Sequence, residues 1–174
     1  MKTKRLVLIS LFIALSILLH YVESLIPPLF PVPGFRLGLA NIILLFVLYY
    51  FDGPSYLIAL IAKVFLVAVV SSGFSVQFFM SLSGSLLSGI ITLLLFYTIK
   101  PSIYGIGYTS ALFHTVGQLI AYALFFNSFY IFTYLAVLGP LSMISGFIIA
   151  LLNDILLSRL PKSFKEEEKR RRNN

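Results

Sequence analysis

The chain has 174 residues, 59% hydrophobic and only 11% charged, with a net charge of +7 and a mean hydropathy of +1.00. Its apolar residues come in runs instead of alternating with polar ones, which excludes a soluble globular domain and points to a polytopic membrane protein. The absence of cysteine excludes disulfides and thiolate metal sites.

The first apolar window, Leu6 to Tyr21, follows Lys2, Lys4 and Arg5 and has the outline of a signal peptide. No small-residue cleavage site follows it, and HYVESLIPPLFPVPG leads straight into another apolar run, so the window is read as helix 1. Ser10 and Ala14, four apart, give it a small-residue surface. The connection from Glu23 to Gly34 holds Pro27, Pro28, Pro31 and Pro33, which bar a regular helix and favour extended backbone. It reads as a stiff lid or re-entrant plug, or as a plain linker.

Helix 2 is expected over Phe35 to Phe51, with Arg36 at its mouth and Asn41 about 9 Å inside. Asp52-Gly53-Pro54 is a tight turn. Helix 3, Ser55 to Ser71, carries Lys63 at a depth of about 12 Å, where a cation costs roughly 3 kcal/mol on insertion scales. Snorkelling cannot cover that distance, so Lys63 needs a carbonyl cluster, a carboxylate or an anionic ligand. The acids in range are Glu23 in the outer connection and Asp154 near the inner end of the last helix. Asp154 is closer to Arg159 and is assigned to it, which leaves Lys63 for a ligand.

Helix 4, Phe79 to Ile99, presents Gly84/Ser88 and Ser85/Gly89 at four-residue spacing, the pattern that lets membrane helices approach closely. Helix 5, Ile103 to Phe126, follows the turn Lys100-Pro101-Ser102 and places His114 and Gln118 on one face, with Gly117 leaving room beside them. His114 reaches nearly the depth of Lys63, so Arg36, Asn41, Lys63, His114 and Gln118 are expected to form a polar cluster open outward. A pair such as His114 and Gln118 also serves plain interhelical hydrogen bonding, worth about 0.6 kcal/mol on average. Helix 6, Ile131 to Leu157, contains Gly139-Pro140, expected to kink or break it, and a tight face of Ser142, Ser145 and Gly146. Aromatic side chains such as Phe74, Phe78, Phe79, Tyr104, Tyr108, Phe113 and Tyr122 suit either a flat ligand or an interfacial belt.

Six helices put both termini on one side. The N-terminal cations, Lys100 and the seven Lys or Arg from Arg159 to Arg172 then fall together, against only Arg36 and Glu23 in the outer connections. By the positive-inside rule the termini are cytoplasmic, and the charge is a topology signal, with no role in nucleic-acid binding. The expected organisation is all-α, with one six-helix transmembrane domain over 1–158 and a charged tail over 159–174 that is solvated or touches anionic lipid.

At PGFRLGLANIILLFVLYYFDG, Lys63, SLSGSLLSG and FHTVGQL the chain resembles a family of small bacterial membrane proteins, the Gx transporter family or heptaprenyl diphosphate synthase component I. The resemblance covers about Lys4 to Leu157. It implies similarity to the substrate-binding S components of energy-coupling-factor (ECF) transporters, with six helices, a ligand under loop 1, and docking on a shared transmembrane coupling subunit driven by ATPases. In that superfamily helix 1 presents Ala-x-x-x-Ala for docking; here the positions are Ser10 and Ala14. Helix 5 has Thr115 where an asparagine would follow the histidine.

The family's enzyme-like name finds no matching motif: Asp52 and Asp154 are far apart in sequence, whereas diphosphate chemistry through Mg²⁺ wants clustered carboxylates, and there is no Walker A loop. The resulting expectation is a non-enzymatic, cofactor-free binding subunit of the bacterial cytoplasmic membrane for a small anionic or poorly soluble nutrient. The family name hints at a nutrient of isoprenoid or quinone type, and the expected binding residues are Arg36, Asn41, Lys63, His114, Gln118 and Glu23. A quinone-handling or structural subunit of a redox complex, and a noncatalytic accessory of prenyl diphosphate synthesis, are the alternatives.

Overall fold

The computed structural model describes residues 2–25 and 38–160. Arg36, the four prolines of the first connection and the tail beyond Leu160 lie outside them. Among the described residues there are six α-helices and no strands: α1 Lys2–Leu25, α2 Leu39–Tyr50, α3 Gly53–Val67, α4 Val76–Tyr97, α5 Ile103–Phe126 and α6 Leu135–Ser158. Five helical segments are long and apolar enough to cross a membrane, the exception being α2.

The helices begin where local chemistry permits. Asp52 caps α3, its carboxylate accepting the Ser55 amide at 2.9 Å, with Pro54 in the first turn where a missing N–H costs nothing. Ser102 caps α5 by accepting the Gly105 amide at 3.3 Å. Past Val67 the third helix widens into a π-helical turn, Ala68–Ser72, before Gly73 at φ +61° ends it. A 3-10 segment, Phe129–Tyr134, leads into α6.

Two expectations need correction. The second helix has 12 residues, not 17, and at about 1.5 Å per residue it covers roughly 18 Å, too little to cross alone. Among the described residues five helices have crossing length, and α2 is buried on nearly every side by the core that also draws in Ile9, Tyr56, Leu60, Phe96, Ile106 and Ile149. Gly139-Pro140 does not break α6, which is continuous through it. Pro140 is only the sixth residue, near the start, where a proline disturbs few backbone bonds.

Contacts at one end gather the start of α1, the α2–α3 turn, the end of α4, the start of α5 and the end of α6. Arg5 pairs with Asp52, Tyr97 Oη accepts the Gly53 amide at 3.1 Å, and Tyr104 Oη donates to Asp154 at 3.0 Å. This Arg5 end is a common reference level. Asp154 thus serves Tyr104; the expected pairing with Arg159 is not formed, because the ring of α5 reaches the carboxylate directly.

The helices α4, α5 and α6 pack through glycines. A Cβ on Gly84 would lie 2.6 Å from the His114 carbonyl, one on Gly117 2.7 Å from the Gly84 Cα, and one on Gly107 2.5 Å from the Gly146 carbonyl. Backbones so close exchange van der Waals contact over many atoms, the main attraction available between helices in lipid. Ser83 Oγ adds a 2.8 Å bond to the Gly117 carbonyl across the α4–α5 seam.

Candidate functional site: a polar cavity beneath a buried lysine

The short helix α2 sets the site. Its first amides have no acceptor within the helix and need partners from outside it. Glu23 supplies them: it belongs to α1 and not to a loop, is 6% exposed, and accepts the Gly38 amide at 2.6 Å and the Leu39 amide at 3.1 Å. A carboxylate there also meets the positive end of the helix dipole. Ser16, one of the buried stripe Ile9, Ser16, Glu23 on α1, holds the same turn through a 3.1 Å bond to the Ala40 carbonyl.

From the other side, α3 delivers Lys63. Its side chain is 7% exposed and its ammonium donates to Asn41 Oδ1 at 2.9 Å. Lys63 is ten residues into α3 and Asn41 nine residues from the end of α2, so both sit about 14–15 Å above the Arg5 end. The sequence placed Asn41 nearer the outer end and matched Lys63 in depth to His114; the structure instead bonds Lys63 directly to Asn41. A buried cation and a buried anion grip one helical turn from opposite helices.

Directly against Asn41 lies a cavity of about 30 Å³. Its polar wall is Asn41 from α2, Tyr56 from α3, Ser85 and Ser88 from α4, and Ser110 and His114 from α5; Leu44, Leu45, Leu60, Gly107, Ala111 and Ile149 complete it. His114 is partly buried, with its ring against the Gly84 backbone and within electrostatic reach of Lys63. The Tyr56 side chain lies beside Thr92 and Ser110, and Thr92 Oγ1, fully buried, makes no well-formed hydrogen bond. By helix rise, Tyr56 is about 5 Å and Ser85 about 18 Å from the Arg5 end, so the cavity occupies that half of the bundle. The space is polar and holds about two water-sized groups.

The structure thus brings Asn41, Lys63 and His114 together. Gln118 lies one turn beyond His114, with its Cγ over Gly84, and does not line the cavity. Glu23 is engaged with the α2 amides, and Arg36 is outside the described residues. Ser10 and Ala14 are exposed on the outer face of α1, away from the core. The aromatic side chains largely pack on one another: Phe78 touches Phe65, Phe74 and Phe79, while Tyr104 and Tyr108 flank Phe147.

Tyr56 and Ser110 were not singled out from sequence. A signal existed: Tyr56, Leu60 and Lys63 recur at four and three residues, as do Gly107, Ser110 and His114 at three and four, each set sharing a helical face. Ser85 and Ser88 were read only as packing residues, yet they do both, since Ser88 Oγ returns to the Ser85 carbonyl at 3.2 Å while the pair lines the cavity.

Apolar helices of crossing length around a polar interior define a helical membrane protein. The chain belongs to the family described as heptaprenyl diphosphate synthase component I, whose family model matches residues 12–156, in agreement with the resemblance seen in its motifs. Comparison with curated proteins and with solved structures finds no match.

Proposed function

We propose that this protein is the substrate-binding membrane subunit of an ECF-type uptake transporter for a small, anionic or poorly soluble nutrient, with its termini in the cytoplasm. The carrying observation is the Lys63–Asn41 pair above a polar cavity at the meeting of five helices. A lysine kept in an apolar bundle at a cost of about 3 kcal/mol marks a binding site or pathway more often than a packing contact. Lys63, Asn41 and His114 are the ligand-facing residues in this reading. Arg36 and Gln118 act nearer the mouth, and Glu23 shapes the site through α2. The exposed Ser10 and Ala14 face of α1 is the docking surface for a coupling subunit that itself contacts ATPases.

Native mass spectrometry of the gently extracted protein tests this. The expected spectrum shows a retained small molecule and ATPase-containing partners; Lys63→Ala loses the small molecule, and Ala14→Leu loses the partners while the protein stays folded. Flavoprotein or haem partners would instead assign the pocket to a redox complex.

The family description favours a second reading, a noncatalytic component of a prenyl diphosphate synthase. The described carboxylates Glu23, Asp52 and Asp154 are held at separate places, so the Mg²⁺-diphosphate chemistry would come from the other component. A soluble catalytic partner in the same spectrum would establish this reading and displace the first.

A further inference from the structure

The cavity has a size and polarity that narrow the ligand. Lys63 donates to Asn41 Oδ1, which leaves the two amide N–H groups of Asn41 as its donors toward a guest. Ser85, Ser110 and Tyr56 carry hydroxyls that can turn to donate, while Ser88 Oγ is given to the Ser85 carbonyl. Among the described residues no carboxylate lines the cavity, and the Lys63 ammonium stands one hydrogen bond away through Asn41. This environment disfavours a cation and favours an anion with more than one acceptor atom. A space of about 30 Å³ admits two oxygen-sized atoms and not the seven oxygens of a diphosphate.

We propose that this cavity is the seat of a ligand's carboxylate group, held by the Asn41 amide and by the hydroxyls of Tyr56 and Ser110, with Ser85 and Ser88 closing the α4 side. The inference rests on the binding-subunit reading and supplies its substrate class: a monocarboxylate whose acid group enters first and lies deepest, the remainder extending past Lys63. His114 borders the same space and limits its width. A whole diphosphate group exceeds the slot.

The isolated protein suffices for the test. The chain has neither tryptophan nor cysteine, so unfolding is followed as loss of the monodisperse peak on size-exclusion chromatography after heating. Titration with formate is expected to raise the midpoint saturably, whereas pyrophosphate at matched ionic strength does not. Tyr56→Phe and Ser110→Ala each remove one hydroxyl and are expected to raise the half-saturating formate concentration about tenfold, the size of one charge-assisted hydrogen bond. Two variants are used so that a folding defect in one leaves the other informative. Decanoate separates the two sources of such a group: saturation at much lower concentration than formate identifies an acyl-chain acid, and equal concentrations identify a small soluble one.

Three results would overturn the proposal: no saturable effect of formate, an equal effect of pyrophosphate, or wild-type saturation in both variants. These outcomes leave the partner question untouched. Conversely, a spectrum without ATPases would remove the transporter reading while leaving the carboxylate slot standing.

Discussion

Gly38 shows how one residue positions the site. It starts α2 at φ +79°, a backbone that favours glycine, and a Cβ there would come within 3.1 Å of Asn41 Nδ2 and press on that side chain. Gly38→Ala is expected to cost about 1–3 kcal/mol, read as a lower thermal midpoint, and to weaken ligand binding because Asn41 must move. Asp52 gives a second residue-scale prediction. Burial raises its carboxyl pKa, but the hydrogen bonds from Ser55 and Arg5 outweigh that and hold it below the ordinary 3.8. A carboxylate depressed in the folded state adds stability above its unfolded pKa and loses it as the pH falls through the folded one. The wild type should therefore lose midpoint below about pH 4 more steeply than Asp52→Asn, by a modest amount because the pair with Arg5 is partly exposed. The depth of Lys63 was legible in the chain, since a lone cation amid an apolar run has one location. The partner of Glu23 was not, because its bonds go to backbone amides that no side-chain pattern advertises.

Among the elements, α5 carries the most structure. It meets α4 at Gly84 and Gly117 and α6 at Gly107 and Gly146, and no side chain larger than hydrogen fits either crossing. Gly107→Val is expected to destabilise by about 1–3 kcal/mol, seen as a lower temperature of loss from the monodisperse peak. Gly139→Ala is the control, since its Cβ would meet only leucine side chains at 3.9 Å, and its effect should stay within about 0.5 kcal/mol. The span of α5 was read correctly from sequence because Ser102 and Asn127 bracket an unbroken apolar run. The small-residue face of α4 was equally visible. The role of Gly107 was not, because a single glycine near a helix start carries no period of its own. The length of α2 failed for the opposite reason: Phe35 to Leu37 are as apolar as the rest apart from Arg36, and only Gly38 in the left-handed region, with Glu23 waiting on α1, fixes the start at Leu39.

For the whole molecule, composition decided the class. Mean hydropathy, run lengths and the gathering of cations at the termini and the Lys100 turn dictate a helical membrane protein, because lipid leaves the backbone only helices or closed barrels and apolar runs this long are helical ones. The motifs dictated the family, which the match over residues 12–156 establishes. Tertiary structure decided what those helices enclose. It buried α2 in the core, brought Lys63 onto Asn41, withdrew Gln118 from the cavity, and added Tyr56 and Ser110 to its wall. The physical reason is that depth follows from counting along one helix, whereas a cavity depends on how faces of different helices rotate toward one another. That rotation is set by the glycine crossings and by the grip of Glu23 and Lys63 on a single turn of α2.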